Sequence, residues 1–207
     1  RPVVQDDHPA AVWSTRGRVI VATSLTSSSK AGISVLSPEG VVEQRIDLPT
    51  DFTWPRSVSP DGSIILTDAS ATTAGSADVT AMSTLGDTTR TMVAGGDGVQ
   101  TSAQFSPDGR FFAFQSDESG RFEIYVAVYP SGARWQVSQD GGIEPRWRND
   151  GKELFFVDRD NFINAVDVTL RPGSFDAGSS TKLFQLHGNG GSWRYDVSRD
   201  GSRFLVA

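Results

Sequence analysis

The stretch from Phe105 to Ser138 reads FSPDGRFFAFQSDESGRFEIYVAVYPSGARWQVS. Its opening turn has a mechanical logic. Pro107 pre-sets φ for the second position of a type I turn, Asp108 can hydrogen-bond local backbone, and Gly109 can take the left-handed conformation that closes a tight hairpin. An apolar run follows at Phe111 to Gln115. Then come a polar turn at Asp117-Glu118-Ser119-Gly120, a run from Glu123 to Val128, and a further run from Arg134 to Ser138. These runs are short, rich in Val, Ile and Phe, and bounded by Gly, Pro, Ser and Asp, which is strand chemistry. With Ala103 to Ser106 entering the turn, they make four antiparallel strands, a to d.

The unit repeats. WSTRG-RVIVAT from Trp13, VSPDG-SIILTD from Val58, WRNDG-KELFFV from Trp147 and VSRDG-SRFLVA from Val197 share its turn and its apolar strand b. The closing glycines Gly17, Gly62, Gly109, Gly151 and Gly201 are 45, 47, 42 and 50 residues apart. Strand c is expected at Ile33 to Leu36, Val79 to Ser83 and Asn164 to Val168. Strand d is expected at Val41 to Leu48, Thr88 to Val93 and Lys182 to Leu186. Four antiparallel strands every 40 to 50 residues mark a propeller blade. The 207 residues then hold about 4.5 blades, at 10–51, 52–98, 99–142 and 143–190, with a partial fifth at 191–207. Residues 1–9, through Val3 and Val4, are expected to form an outer strand of a preceding or a closing blade. An open propeller leaves strand edges and blade faces uncovered, so the spacing predicts an incomplete all-β propeller, part of a larger one or completed by a partner. Arg1 in place of an initiating Met points to a processed chain or a fragment.

Composition narrows the function. The chain carries 19 basic and 25 acidic side chains, for a net charge of −6, which argues against a nucleic-acid binder. It has no cysteine, so it has no disulfide framework, thiolate nucleophile or Cys-based zinc site. The longest apolar stretches are about six residues, against the roughly 20 needed to cross a bilayer, and no signal peptide is visible.

The repeat from Phe105 to Ser138 resembles the TolB-like β-propeller family. Asp140 to Val168, DGGIEPRWRNDGKELFFVDRDNFINAVDV, and the final YDVSRDGSRFLVA from Tyr195 are more narrowly similar to the C-terminal propellers of bacterial membrane-anchored serine/threonine protein kinases. The resemblance is tight in the last three repeats and loose in the first two. It implies a propeller outside the cytoplasm, with any catalysis in a separate domain. No His-Arg-Asp loop, Asp-Phe-Gly or glycine-rich phosphate loop stands in this chain. The same repeat occurs in propellers of prolyl-oligopeptidase-type peptidases, so it speaks for a fold more than for an activity.

No catalytic, cofactor or metal site emerges. There is no Gly-x-Ser-x-Gly elbow, and the two histidines, His8 and His187, stand in an N-terminal stretch and a glycine-rich run. Asp158-x-Asp160-Asn161 resembles the start of a calcium loop, but Ile163 and Thr169 stand where that loop needs Gly and Glu, so the residues read as a polar hairpin turn. The informative set is basic and aromatic: Trp54, Arg56, Arg146, Arg148, Trp193 and Arg194 precede or enter strand a in three repeats. If the repeat sets them on one ring near a channel mouth, guanidinium groups beside aromatics can grip a carboxylate, a phosphate or an acidic peptide. The competing expectation is that each Arg stacks on a Trp and pairs with an acid such as Glu144 or Asp196, fastening blade to blade. The aligned Trp13, Val58, Phe105, Trp147 and Val197 are expected to pack between blades. The expected function is therefore a non-catalytic, extracytoplasmic scaffold or sensor that binds protein or peptide, as a stabilising subunit of a membrane-associated complex or the C-terminal part of a receptor-like kinase. It needs no cofactor. The alternative is the gating propeller of a prolyl-oligopeptidase-type peptidase whose hydrolase domain lies elsewhere.

Overall fold

The structure, a computed structural model, describes residues 10–13, 19–23, 32–48, 53–70, 76–87, 89–187 and 194–206. Among these residues there are strands and turns and no helix. The chain divides into two compact units, Arg1–Thr101 and Ser102–Ala207.

The first unit holds two antiparallel sheets whose strands pair in chain order. One is β1 (Ala10–Trp13), β2 (Val19–Thr23), β3 (Gly32–Leu36) and β4 (Val42–Asp47). The other is β5 (Thr53–Val58), β6 (Ile64–Ser70), β7 (Ala77–Ser83) and β8 (Arg90–Ala94). The third sheet, β9 (Gln100–Phe105), β10 (Phe111–Ser116), β11 (Glu123–Val128) and β12 (Arg134–Gln136), begins at the unit boundary. The second unit continues with β13 (Ile143–Trp147), β14 (Glu153–Val157), β15 (Phe162–Arg171) and β16 (Ser174–Gln185). A two-stranded sheet of β17 (Tyr195–Val197) and β18 (Phe204–Val206) follows.

The Asp-Gly turn has one construction in its four described copies. The glycine N–H donates to the carbonyl three residues back, Gly62 to Ser59 and Gly201 to Ser198 at 2.8 Å, Gly109 to Ser106 and Gly151 to Arg148 at 2.9 Å. Each of these glycines has φ between 71° and 77°, where a side chain is strained. The aspartate accepts the backbone N–H two residues on, at 3.0 Å for Asp61, Asp108 and Asp150 and 3.1 Å for Asp200. Ser59, Ser106 and Ser198 add a hydroxyl that donates to that aspartate and accepts the N–H of Ile64, Phe111 and Arg203, respectively. The turn at Gly17 lies outside the described residues.

Consecutive apolar residues on strand b are buried on both faces. In β14, Leu154 and Phe156 join Phe111, Ile124 and Val126 of the third sheet in one cluster, while Phe155 and Val157 join Ile163, Leu186 and Tyr195 in a second. All four β14 side chains are at most 3% exposed. Full burial of such a side chain contributes about 1.5–3 kcal/mol. Of the aligned residues at the end of strand a, Phe105 is buried against Tyr129, their ring centres 5.0 Å apart. Trp147 and Val197 pack on the two clusters. Trp13 departs from the expected packing: it is 68% exposed.

The fourth sheet also departs from expectation. Its outer strands are not the short segments 164–168 and 182–186. β15 runs to Arg171 and turns through Pro172-Gly173 directly into β16, which starts at Ser174. The extension is hidden in sequence because β16 is an edge strand, exposed from Asp176 to Gln185, and carries no apolar alternation. Phe175, at its base, is buried in the first cluster.

Candidate functional site

The six basic and aromatic residues fall in different places. Trp54 and Arg56 lie on β5 in the first unit. Arg56 Nε donates to Asp68 Oδ2 at 2.5 Å, and the Asp68 side chain is 3% exposed. Arg146 lies on β13, Arg148 in the turn after it and Arg194 just before β17, all in the second unit. Trp193 lies outside the described residues. Counted back from Gly62, Gly151 and Gly201, the three ring arginines stand six, five and seven residues away. They are therefore not equivalent positions of the repeat, whereas Trp54 and Trp193 are, at eight each.

Within the second unit, the residues meet around Glu144. Its φ is +54°, and Ser102, the same position in the preceding repeat, has +59°. The pairing of β13 with β14 shifts register between Ile143 and Arg146, a bulge that re-aims the Glu144 side chain. The Glu144 carboxylate accepts from the Arg194 backbone N–H at 3.2 Å and from Arg194 Nε at 3.4 Å. Arg194 Nη1 donates to Asn161 Oδ1 at 2.8 Å, and its buried Nη2 has no hydrogen-bond partner among the described residues. Tyr195 donates its hydroxyl to the Glu144 carbonyl at 2.8 Å, and burial pushes that hydroxyl's pKa up. Arg146 is 7% exposed, donates to the Pro145 carbonyl at 2.8 Å, lies 5.6 Å from the Tyr195 ring centre and stands 4.0 Å from Asp196. This cluster fastens β13 to β17. An aromatic partner of Arg146 is Tyr195. Asn161 enters through its left-handed φ of 63° at the end of the β14–β15 turn.

Arg148 takes the place of the turn serine. It grips Asp150 with two bonds, Nε to Oδ1 at 2.7 Å and Nη2 to Oδ2 at 2.9 Å, and its Nη1 pairs with Glu153. That grip holds the Asp150 carboxyl at about 2. Asp200, which accepts from the Ser198 hydroxyl and the Ser202 N–H, is also held at about 2.

Asp158 and Asp160 sit in the β14–β15 turn. Asp158 Oδ1 accepts the N–H groups of Asp160 and Phe162 at 2.9 Å. The Lys182 ammonium stands 3.0 Å from Asp158 and 3.2 Å from Asp160, where a cation would otherwise sit. Among the described residues, no group of three or more His, Cys, Asp or Glu side chains could hold a metal ion.

No family model matches the chain, and no curated protein matches it. Among solved structures, the crystal structure of TolB from Acinetobacter baumannii is similar over 98% of this chain, at a TM-score of 0.66 and 20% identity. The chain spans about half of that protein, 49% of its length. The chain has the β-propeller fold. The four-stranded sheets are propeller blades, and the part of a propeller they make is incomplete. The structure of putative TolB from Agrobacterium tumefaciens is a weaker likeness, with a TM-score of 0.43 and 16% identity over 88% of this chain and 84% of that one; it carries no argument. The blade arrangement explains why the β13 and β17 side chains meet, since strand a of one blade adjoins strand a of the next.

Proposed function

We propose that this chain is a protein-binding propeller that works outside the cytoplasm and does no chemistry itself. The propeller fold, shared with TolB over 98% of this chain, carries the reading, and the state of the charged groups fits it. Where the surroundings clearly shift an ionisable group among the described residues, they shift it away from neutrality. Asp150, Asp200, Asp108, Asp158, Asp87 and Glu39 are lowered, while Arg121, Arg148, Lys182 and Tyr195 are raised. A general acid needs a carboxyl raised toward neutral pH, and a general base such as lysine needs to be lowered toward it. Here the charges serve to hold turns and blades in shape, as befits a scaffold.

The TolB-like repeat supports the extracytoplasmic setting. The kinase-type resemblance of residues 140–168 and 195–207 supports a finer version, a sensor or stabilising part of a membrane-associated complex. Within the six-residue set, Trp54, 37% exposed, is the member with open aromatic surface and is proposed as a partner contact. Arg56, Arg146, Arg148 and Arg194 act chiefly by holding the blades that present it.

The test has two arms. A fusion to a reporter enzyme that folds only outside the cytoplasm should be active in the native host. Site-specific photo-crosslinking on the full protein, followed by reconstitution with the purified partner, should give a saturable complex. Reproducible turnover of peptide or ester substrates by the purified chain, abolished by a point substitution, would overturn the non-catalytic reading.

A further inference from the structure

The turns after strand a vary in sequence. Where other repeats have Ser59, Ser106 and Ser198, the fourth has Arg148. The position of Pro60 and Pro107 holds Asn149 in the fourth repeat and Arg199 in the last. The position of Ile64 and Phe111 holds Glu153 in the fourth and Arg203 in the last. The three arginines line one open groove of about 500 Å³ between the β13–β14 and β17–β18 turns. Asp150 and Asp200 lie in the same groove, so it holds three guanidinium groups against two carboxylates, an excess of one positive charge in a chain whose net charge is −6.

The two carboxylates are already engaged. Arg148 holds Asp150, and Ser198 and Ser202 hold Asp200. Arg199 and Arg203 are exposed and make no side-chain ion pair or hydrogen bond among the described residues. The neighbouring groove, about 650 Å³ between the β9–β10 and β13–β14 turns, makes the contrast. There Asp108, Asp150 and Asp167 outnumber Arg110 and Lys152, and Arg110 is held by Asp108 through two bonds at 2.9 and 2.7 Å.

Resting on the protein-binding reading, we infer that the groove between the β13–β14 and β17–β18 turns docks an acidic segment of a partner protein, with Arg199 and Arg203 gripping its carboxylates. A guanidinium fork matches a carboxylate with two parallel bonds. Arg148, its donors taken by Asp150 and Glu153, is a positioning residue that fixes the groove wall. The small excess of charge selects an isolated carboxylate pair over a dense polyanion, because Asp150 and Asp200 repel the further charges that a nucleic acid or a polyphosphate would bring.

The probe is a short, end-blocked peptide of alternating Glu and Gly, with a Gln-Gly analogue as control, titrated into the full chain and followed by amide NMR. The Glu peptide should shift the amides of residues 149–151 and 198–203, the Gln peptide should not, and salt should weaken the effect. The double variant Arg199→Ala/Arg203→Ala, at exposed positions, should keep the fold and weaken binding by about tenfold or more. Equal binding of the Glu and Gln peptides, undiminished binding by the double variant, or no response at millimolar Glu peptide overturns the proposal. So does a response to anionic phospholipid vesicles or inorganic phosphate in place of the peptide. If the photo-crosslinked complex forms undiminished with the double variant, the groove falls and the protein-binding reading stands. If the wild-type chain forms no protein complex, that reading falls first.

Discussion

Tyr195 donates its hydroxyl to the carbonyl oxygen of Glu144, 51 residues away in sequence and 2.8 Å away in space. The bond crosses from β17 to β13 and is buried. Replacing Tyr195 with Phe leaves a buried carbonyl without its donor, which costs about 1–3 kcal/mol. Urea denaturation should show a lower midpoint at an unchanged slope. A midpoint equal to wild type would show that the bond does not fasten the last sheet.

Glu144 and Arg194 form the charged half of the same fastening. Their side chains are 10% and 14% exposed, so solvent screens the pair only weakly. Glu144→Gln keeps the shape and removes the charge that faces Arg194. The expected loss is about 2 kcal/mol, the scale of a buried hydrogen bond to a charged group. Hydrogen exchange at β17 and β18 should accelerate more than at β10 and β11, and uniform acceleration would count against a local fastening.

Acid should loosen the turns in a definite window. Asp150 and Asp200 have folded pKa values of about 2 against the usual 3.8, the first through Arg148 and the second through Ser198 and Ser202. A lowered folded pKa means that the unfolded chain binds the proton more readily. The contribution is therefore complete above about pH 4 and is lost as pH falls toward about 2. Urea midpoints measured across that range should decline, and less steeply in Asp150→Asn and Asp200→Asn. Parallel declines in all three proteins would exclude these two carboxylates as the cause.

The two faces of β14 give a paired test. Phe155 and Phe156 point into different clusters, and both are at most 3% exposed. Each Phe→Ala change should cost about 3–5 kcal/mol. If one costs less than about 1 kcal/mol, that face of the strand behaves as surface.

Calcium should leave the thermal midpoint unchanged at millimolar concentration, because the Lys182 ammonium already sits between Asp158 and Asp160. A rise of several degrees would show that the lysine yields to the metal.

The repeating turn was legible because its glycine must take a left-handed φ and its aspartate must reach the same N–H in each of the four described copies. Consecutive Phe residues on strand b announced burial on both faces. The extension of β15 and β16 was not legible, since an exposed edge strand has no apolar alternation to betray it. Glu144 stands in the sequence among the acids expected to pair with these arginines, and the meeting of two strands a brings it to Arg194, 50 residues on. The three ring arginines are not equivalent positions of the repeat, standing six, five and seven residues before the turn glycines. Trp13 shares a position with the buried Phe105 yet is exposed, a reminder that an aligned position sets a direction and neighbours decide burial.

The run Leu154-Phe155-Phe156-Val157 is apolar on both sides, and so its pattern cannot count. Were β14 to slide by one residue against β13, an apolar side chain would still meet each face, and burial alone would hardly oppose the error. The numbering of the blade must be kept by something that cannot slide. In this hairpin that is Arg148, Asp150 and Gly151, whose bonds close only at one spacing. The turn thus acts as the zero mark from which the sheet is measured, and changes there are expected to yield misaligned, aggregation-prone chains sooner than loosened native ones.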